Sequence, residues 1–265
     1  MSKAGRDIYG AEELQDKEAK FFDSIAASRP LNLSQIIDRD TDFPYVTPAG
    51  SRYLDKFFGS LEGKRVLDVG CGAGLSTVLL AKKGGRVTAF DVSERYLEMA
   101  RERIRINGVE DRIEWIGKMG AEKLGFPDDS FDVVYGGHVL HHTKLDCSVP
   151  EIARVMRSGA RGAFVETLGT NPIFTFVRSH VAGHFGIPKL SNETEYPLRA
   201  KELKFIADHF RTCNLRGDIL FSMAYEYVFK SVRIGRILRN LDGLLFERFP
   251  WTAKGAYCGI LTLVR

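Results

Sequence analysis

Five residues, Gly70-Cys71-Gly72-Ala73-Gly74, follow directly on the apolar run Arg65-Val66-Leu67-Asp68-Val69 and lead into a second apolar run from 75 to about 83. Glycines at this spacing let a chain turn sharply and let a ligand approach the backbone. A helix opening just behind them points its first N–H groups and the positive end of its dipole at that ligand. Asp91 closes the next apolar run, Arg86-Val87-Thr88-Ala89-Phe90. A carboxylate about 20 residues beyond such a loop can accept hydrogen bonds from both hydroxyls of a ribose. The constellation suits the binding of a nucleoside.

Spacing separates two kinds of nucleoside ligand. The dinucleotide fingerprint is G-x-G-x-x-G, which makes room for a pyrophosphate. Here the run is Gly70-x-Gly72-x-Gly74, and counted from Gly72 the last position of the fingerprint is Thr77. Asp68 stands two residues before the loop. A carboxylate there is awkward beside a pyrophosphate and suits a ligand carrying ammonium or sulfonium charge.

The elements that must position these residues alternate. Strand 65–69, helix 75–83 and strand 86–91 form one β-α-β unit of the size a parallel crossover needs. A helix from 94 to about 107 follows, with Leu97, Ala100 and Ile104 on one face. Ile113-Glu114-Trp115-Ile116 reads as a third strand, Phe131-Asp132-Val133-Val134-Tyr135 as a fourth and Gly162-Ala163-Phe164-Val165-Glu166 as a fifth, the last preceded by a helix over 149–156. This rhythm predicts an α/β fold, a Rossmann-like doubly wound sheet covered on both faces. A helix over 201–210, a strand over 212–220 and a last strand over 257–264 complete the chain. Two stretches break the rhythm, about 170–197 and 222–248, and read as insertions forming an acceptor-side lid on a domain spanning 61–265. Residues 1–60 read as a helical arm or cap.

Val66-Leu67-Asp68-Val69-Gly70-Cys71-Gly72-Ala73-Gly74 resembles the cofactor loop of the class I S-adenosylmethionine-dependent methyltransferases. Phe126-Pro127-Asp128-Asp129-Ser130-Phe131-Asp132-Val133-Val134, Val139-Leu140-His141-His142 and Glu151-Ile152-Ala153-Arg154-Val155-Met156-Arg157 resemble segments of the branch that includes the quinone-biosynthesis enzymes. The resemblance implies a seven-stranded, mostly parallel sheet with an antiparallel last strand. It also implies S-adenosyl-L-methionine as methyl donor, S-adenosyl-L-homocysteine as product, and no metal. By position, Gly70, Cys71, Gly72 and Gly74 would pack on the methionine part and ribose. Asp68 would support the loop and meet the amino group, Asp91 would hold the ribose, and Val92 would flank the adenine. Gly120 and Ala121 would touch the adenine edge, and Gly136 the sulfonium side. Two departures stand out. Where the family has Asp-Ala-Glu the chain has Gly120-Ala121-Glu122, so a hydrogen bond to the adenine amine must come from elsewhere or be absent. Where the family has Lys-Pro-Gly-Gly it has Arg157-Ser158-Gly159-Ala160.

Methyl transfer from a sulfonium is a displacement in which positioning supplies much of the rate. A base helps when the nucleophile must lose a proton. His138 and His141, just after the fourth strand, and Glu166, at the end of the fifth, are the catalytic candidates, with His138 preferred. For His141, His142 and Glu166 the alternatives are a helix cap, a packing contact or a salt bridge. His180 and His184, four residues apart, and Tyr196, Phe174, Phe176 and Phe185 could line an acceptor pocket or serve only as packing. The expected activity is methylation of a small molecule on oxygen, carbon or nitrogen. The alternative is a donor-binding sensor or scaffold without transfer.

The 265 residues are 44% hydrophobic and 27% charged, enough apolar content to exclude wholesale disorder. The net charge is only +4, and the densest basic run, Arg101, Arg103 and Arg105, is interleaved with acids on a helix, so no nucleic-acid platform is expected. The four cysteines are widely spaced, the first stretch is polar, and no apolar run approaches a membrane span, which suits a cytoplasmic setting. Apolar and basic residues alternate through 222–248, as in an amphipathic helix packed on the domain, or one serving as a peripheral membrane or dimer contact.

Overall fold

The computed structural model describes residues 9–28, 32–180, 195–223 and 232–265. Two helices, α1 (Ala11–Ser28) and α2 (Pro48–Phe58), precede the alternating unit β1 (Arg65–Val69), α3 (Leu75–Lys82), β2 (Arg86–Asp91), α4 (Glu94–Asn107) and β3 (Ile113–Lys118). Then come β4 (Phe131–Gly137), α5 (Leu145–Val155), β5 (Met156–Thr167), α6 (Pro172–His180) and α7 (Ala200–Ala207). The chain ends with β6 (Thr212–Ile219), α8 (Val232–Arg248) and β7 (Cys258–Val264).

The seven strands form one sheet in the order β3-β2-β1-β4-β5-β7-β6. β1 to β5 run parallel, and β7 is antiparallel to both β5 and β6. This is the Rossmann-like sheet the alternation predicts, with the antiparallel last strand the resemblance implies. Side chains alternate between its two faces, as a pleated strand requires. Val133, Tyr135, Ala163, Val165 and Ile260 join Leu54, Phe58 and Leu79 on one face. Val134, Phe164, Leu261 and Leu263 join Val149, Ile206 and Phe246 on the other.

The fifth strand departs from expectation. It begins at Met156, not Gly162, and Arg157-Ser158-Gly159-Ala160 bulges out, with Gly159 at φ +77°, before pairing resumes at Arg161. The C-terminus holds this segment: Gly159 N–H donates to the Arg265 carbonyl and Arg265 N–H to that of Ala160. A bulge where β5 departs from β4, between Phe131 and Val133, takes up the extra length. Of the two proposed insertions, 181–194 and 224–231 lie outside the described residues, and with them His184, Phe185 and the first part of the second insertion.

The approach to α2 is set by one buried carboxylate. Asp218 on β6 accepts from the backbone N–H and hydroxyl of Thr47, each at 2.7 Å, and from Arg216 Nη1 at 2.8 Å. Thr47 in turn caps α2 by accepting from Gly50 N–H. This tie fixes residues 43–47, including Tyr45, against the open end of the sheet. Asp218→Ala leaves the Arg216 guanidinium without its anion and is expected to cost about 3–5 kcal/mol. Denaturant unfolding monitored by circular dichroism measures it, and a loss within error of zero would contradict the anchoring role.

Candidate functional site

The loops after β1, β2 and β4 converge on a cavity of about 560 Å³. Its floor is the glycine loop. Gly70 has φ +65°, and a Cβ there would lie 2.7 Å from Val139 Cγ2. Gly74 has φ +79° and packs on Ala100 of α4, with no room for a side chain. The backbone conformation and the close approach both demand glycine at these positions.

Two carboxylates flank the loop. Asp91 accepts from Gly72 N–H at 2.8 Å and from Ser93 N–H at 2.9 Å, so it joins the glycine loop to the start of α4. It is nearly buried yet lines the cavity, and burial raises its pKa against the pull of those N–H groups. Asp68 is fully buried, and its Oδ2 accepts from Thr77 Oγ1 at 2.6 Å and Ser76 Oγ at 2.9 Å. Its Oδ1 has no partner. Burial raises the Asp68 pKa to about 6, against the two hydroxyls. An unpartnered carboxylate oxygen under a glycine loop, with a second carboxylate at the ribose position, fits a nucleoside that carries positive charge.

Gly70, Cys71, Gly72, Asp91, Val92 and Ala121 line the cavity. Four other expected contacts are not among its lining, Asp68 beneath the loop and three glycines. Gly74 faces α4. At Gly136 a Cβ would meet Phe164 and Val139. Gly120 faces Gln15 of α1, whose side-chain amide lies 2.2 Å from where a Cβ would be. The missing acidic side chain at 120 thus leaves room that Gln15, itself a wall residue, fills. The roof contributed by α1 has little signal in its own sequence beyond the Phe21/Phe22 pair.

That roof is tied down at three points. Gln15 Nε2 donates to Glu122 at 2.7 Å, Asp23 accepts from Ser93 Oγ at 2.6 Å, and Glu18 lies 3.2 Å from His142 Nδ1. Phe22 packs edge-on against the His142 ring.

The histidines have three different surroundings. His138 lines the cavity in a left-handed conformation, φ +55°, with its ring edge-on to Tyr45. Its Nδ1 lies 3.4 Å from Thr167 Oγ1 and its Nε2 3.9 Å from Cys258 Sγ. The Cys258 thiol in turn donates to the Glu166 carbonyl at 3.2 Å. His141 is buried against Glu166, Nδ1 to Oε2 at 2.6 Å. Glu166 is fully buried and accepts the N–H groups of Val139, Leu140 and His141. Burial raises the Glu166 pKa, and His138 and those N–H groups counter it. Its oxygens are thus engaged by the turn instead of facing an acceptor, as does the ring nitrogen of His141 nearest them. Tyr196 donates its N–H to the His141 carbonyl. Among the described residues no group of His, Cys, Asp and Glu is arranged to hold a metal.

His142 makes the roof sensitive to pH. Burial opposes its protonation, but the Glu18 contact prevails and raises its pKa above the ordinary 6.5. A raised folded-state pKa contributes stability that is complete below 6.5 and disappears as pH rises through the folded value. Wild type should therefore lose more thermal stability than Glu18→Gln between about pH 6 and pH 8.5. Parallel melting curves for the two proteins across that range would remove the pair from the account.

Residues 67–164 match the family model described as a methyltransferase domain. Methyltransferase GfsG of Streptomyces halstedii is 38% identical over 123 residues, a match that spans only 44% of each chain. A ubiquinone biosynthesis O-methyltransferase of Dechloromonas aromatica is 30% identical over 194 residues, 72% of this chain and 81% of the relative. Geranyl diphosphate C-methyltransferase of Streptomyces coelicolor A3(2), solved with S-adenosyl-L-homocysteine, superposes with a TM-score of 0.61 at 14% identity over 95% of this chain and 98% of that one. The last likeness is one of fold. With the glycine loop, the two carboxylates and the ubiquinone-enzyme match over most of both chains, the protein belongs to the class I S-adenosylmethionine-dependent methyltransferases.

Proposed function

We propose that the protein methylates a small molecule, with an oxygen as the atom that accepts the methyl group. The observation that carries this is His138, an imidazole on the cavity wall just beyond β4 and a side chain that can act as a base near neutral pH. A hydroxyl needs such a base as it attacks. The relatives named for O-methylation in ubiquinone biosynthesis support the same atom. The alternative of a donor-binding scaffold without transfer draws support from neither the site nor the relatives. Gly70, Cys71, Gly72, Asp91 and Val92 would hold the donor, with Asp68 beneath them. Bound there, S-adenosyl-L-methionine supplies an electrophilic methyl group on a sulfonium. The arm 1–60 and the insertions at 170–197 and 222–248 would cover the acceptor.

Two features favour an apolar acceptor near a bilayer. Ile234, Ile237, Leu241 and Leu244 form an exposed stripe along α8, and Phe249 and Trp251 extend it, Trp251 at 80% exposure. Arg233, Arg236, Arg248 and Lys254 are exposed around it. An apolar stripe with a basic border matches an anionic lipid surface. No helix among the described residues is long and apolar enough to cross a membrane. The cysteines of the described structure are free thiols, which fits a reducing, cytoplasmic setting.

Transfer of labelled methyl from the donor to catechols and hydroxyquinones tests the function. His138→Ala should lower turnover about a hundredfold or more while S-adenosyl-L-homocysteine affinity stays the same; unchanged turnover would remove the base. For α8, the protein should sediment with vesicles of phosphatidylcholine and phosphatidylglycerol, and Leu241→Glu with Leu244→Glu should release it. A protein that ignores vesicles and runs as a dimer, which the double variant converts to a monomer, would make the stripe a subunit contact instead.

A further inference from the structure

The arginine run of α4 divides in two. Arg101 and Arg105 are exposed and paired, with Glu94 at 3.0 Å and with both oxygens of Glu102. Arg103, between them, turns inward and is 2% exposed. Its Nη2 donates to the Asn32 carbonyl at 3.1 Å. Its Nε and Nη1 have no partner, and the side chain lines the cavity. Burial lowers the pKa of Arg103, and the one group that counters this is Tyr45. Among the described residues no carboxylate pairs with the buried guanidinium, which keeps its proton even so.

An unanswered buried cation on a ligand cavity is costly unless the ligand brings the anion. Arg103 shares the wall with Asn32, whose carbonyl it meets, and with Gln35 and Tyr45. Arg103 is the one lysine or arginine among the described lining residues. Asp68 Oδ1 is the complementary vacancy, an unpartnered anionic oxygen under the loop.

We propose that Arg103 is the carboxylate receptor of the cavity, binding an anionic group of the ligand through its Nε and Nη1 hydrogens. The proposal rests on the reading of the cavity as a donor-and-acceptor chamber. The carboxylate has two sources with the same chemistry: the amino-acid end of the methyl donor, or an acid group on the acceptor. Loss of the guanidinium removes one or two charge-assisted hydrogen bonds.

Calorimetric titration of the full chain distinguishes the sources. S-Adenosyl-L-homocysteine and 5′-methylthioadenosine share the nucleoside and the thioether, and only the first carries a carboxylate. If the donor supplies the anion, Arg103→Met weakens S-adenosyl-L-homocysteine about tenfold to a hundredfold, leaves 5′-methylthioadenosine alone, and Arg103→Lys recovers part of the loss. If the acceptor supplies it, both nucleosides bind as before, and the protein saturated with S-adenosyl-L-homocysteine loses its affinity for 4-hydroxybenzoate but not for phenol. Equal losses for the two nucleosides, or no change with any probe, would overturn the proposal. Should Arg103→Met fail to fold, the wild type decides: no preference for the carboxylate-bearing member of either pair overturns it equally. Wild-type binding of S-adenosyl-L-homocysteine reports separately on the methyl-donor reading.

Discussion

Glu166 is buried at the end of β5, where a carboxylate must find hydrogen bonds or destabilise the strand that carries it. It finds them in the turn after β4. Three successive N–H groups, at Val139, Leu140 and His141, and the His141 ring converge on its two oxygens. The turn therefore cannot relax without exposing an unsatisfied charge. Its shape has two outcomes at opposite ends. His138 is held in a left-handed conformation that puts its ring on the cavity wall. His142 is carried across to Glu18 on α1. One buried carboxylate thus places both His138 on the chamber wall and part of its roof.

The donor side is organised by a second carboxylate. Asp91 binds the N–H groups of Gly72 and Ser93, so the loop after β1 and the start of α4 are fixed relative to each other. Gly74 resting on Ala100 makes the same connection through packing. A site whose loops are already joined loses less freedom when a ligand arrives. The floor is consequently stiff, while most of what closes over it comes from α1.

The sheet and the glycine loop were legible because their signals are local: alternating apolar runs, turn residues and a carboxylate at a fixed spacing. The start of β5 was not, because pairing with the C-terminal residue decides it. The expectations for Glu166 and Gly136 shared a different weakness. A residue at a strand end faces one side or the other according to register and the turn beyond it, and neither is written in the residue itself. Gln15 and Asp23 escaped notice because their partners lie 107 and 70 residues away. In a helix as polar as α1, a carboxylate that meets a serine reads the same as one that meets water. Ser76 and Thr77 did carry a signal, two hydroxyls in the first turn of a helix that starts beside an acid. Arg103 carried one too, but its neighbours in sequence pointed it toward solvent.

The three ties of α1 belong to one rigid element. Glu122, His142 and Ser93 lie on three different loops around the chamber, so a movement that breaks one contact strains the other two. The roof lifts as a unit or stays closed. The glycine loop below is joined by Asp91 and Gly74, whereas the roof is joined by side chains of a single helix. A substitution at any one of Gln15, Glu18 or Asp23 is therefore felt at all three loops, although none of these side chains belongs to the glycine loop.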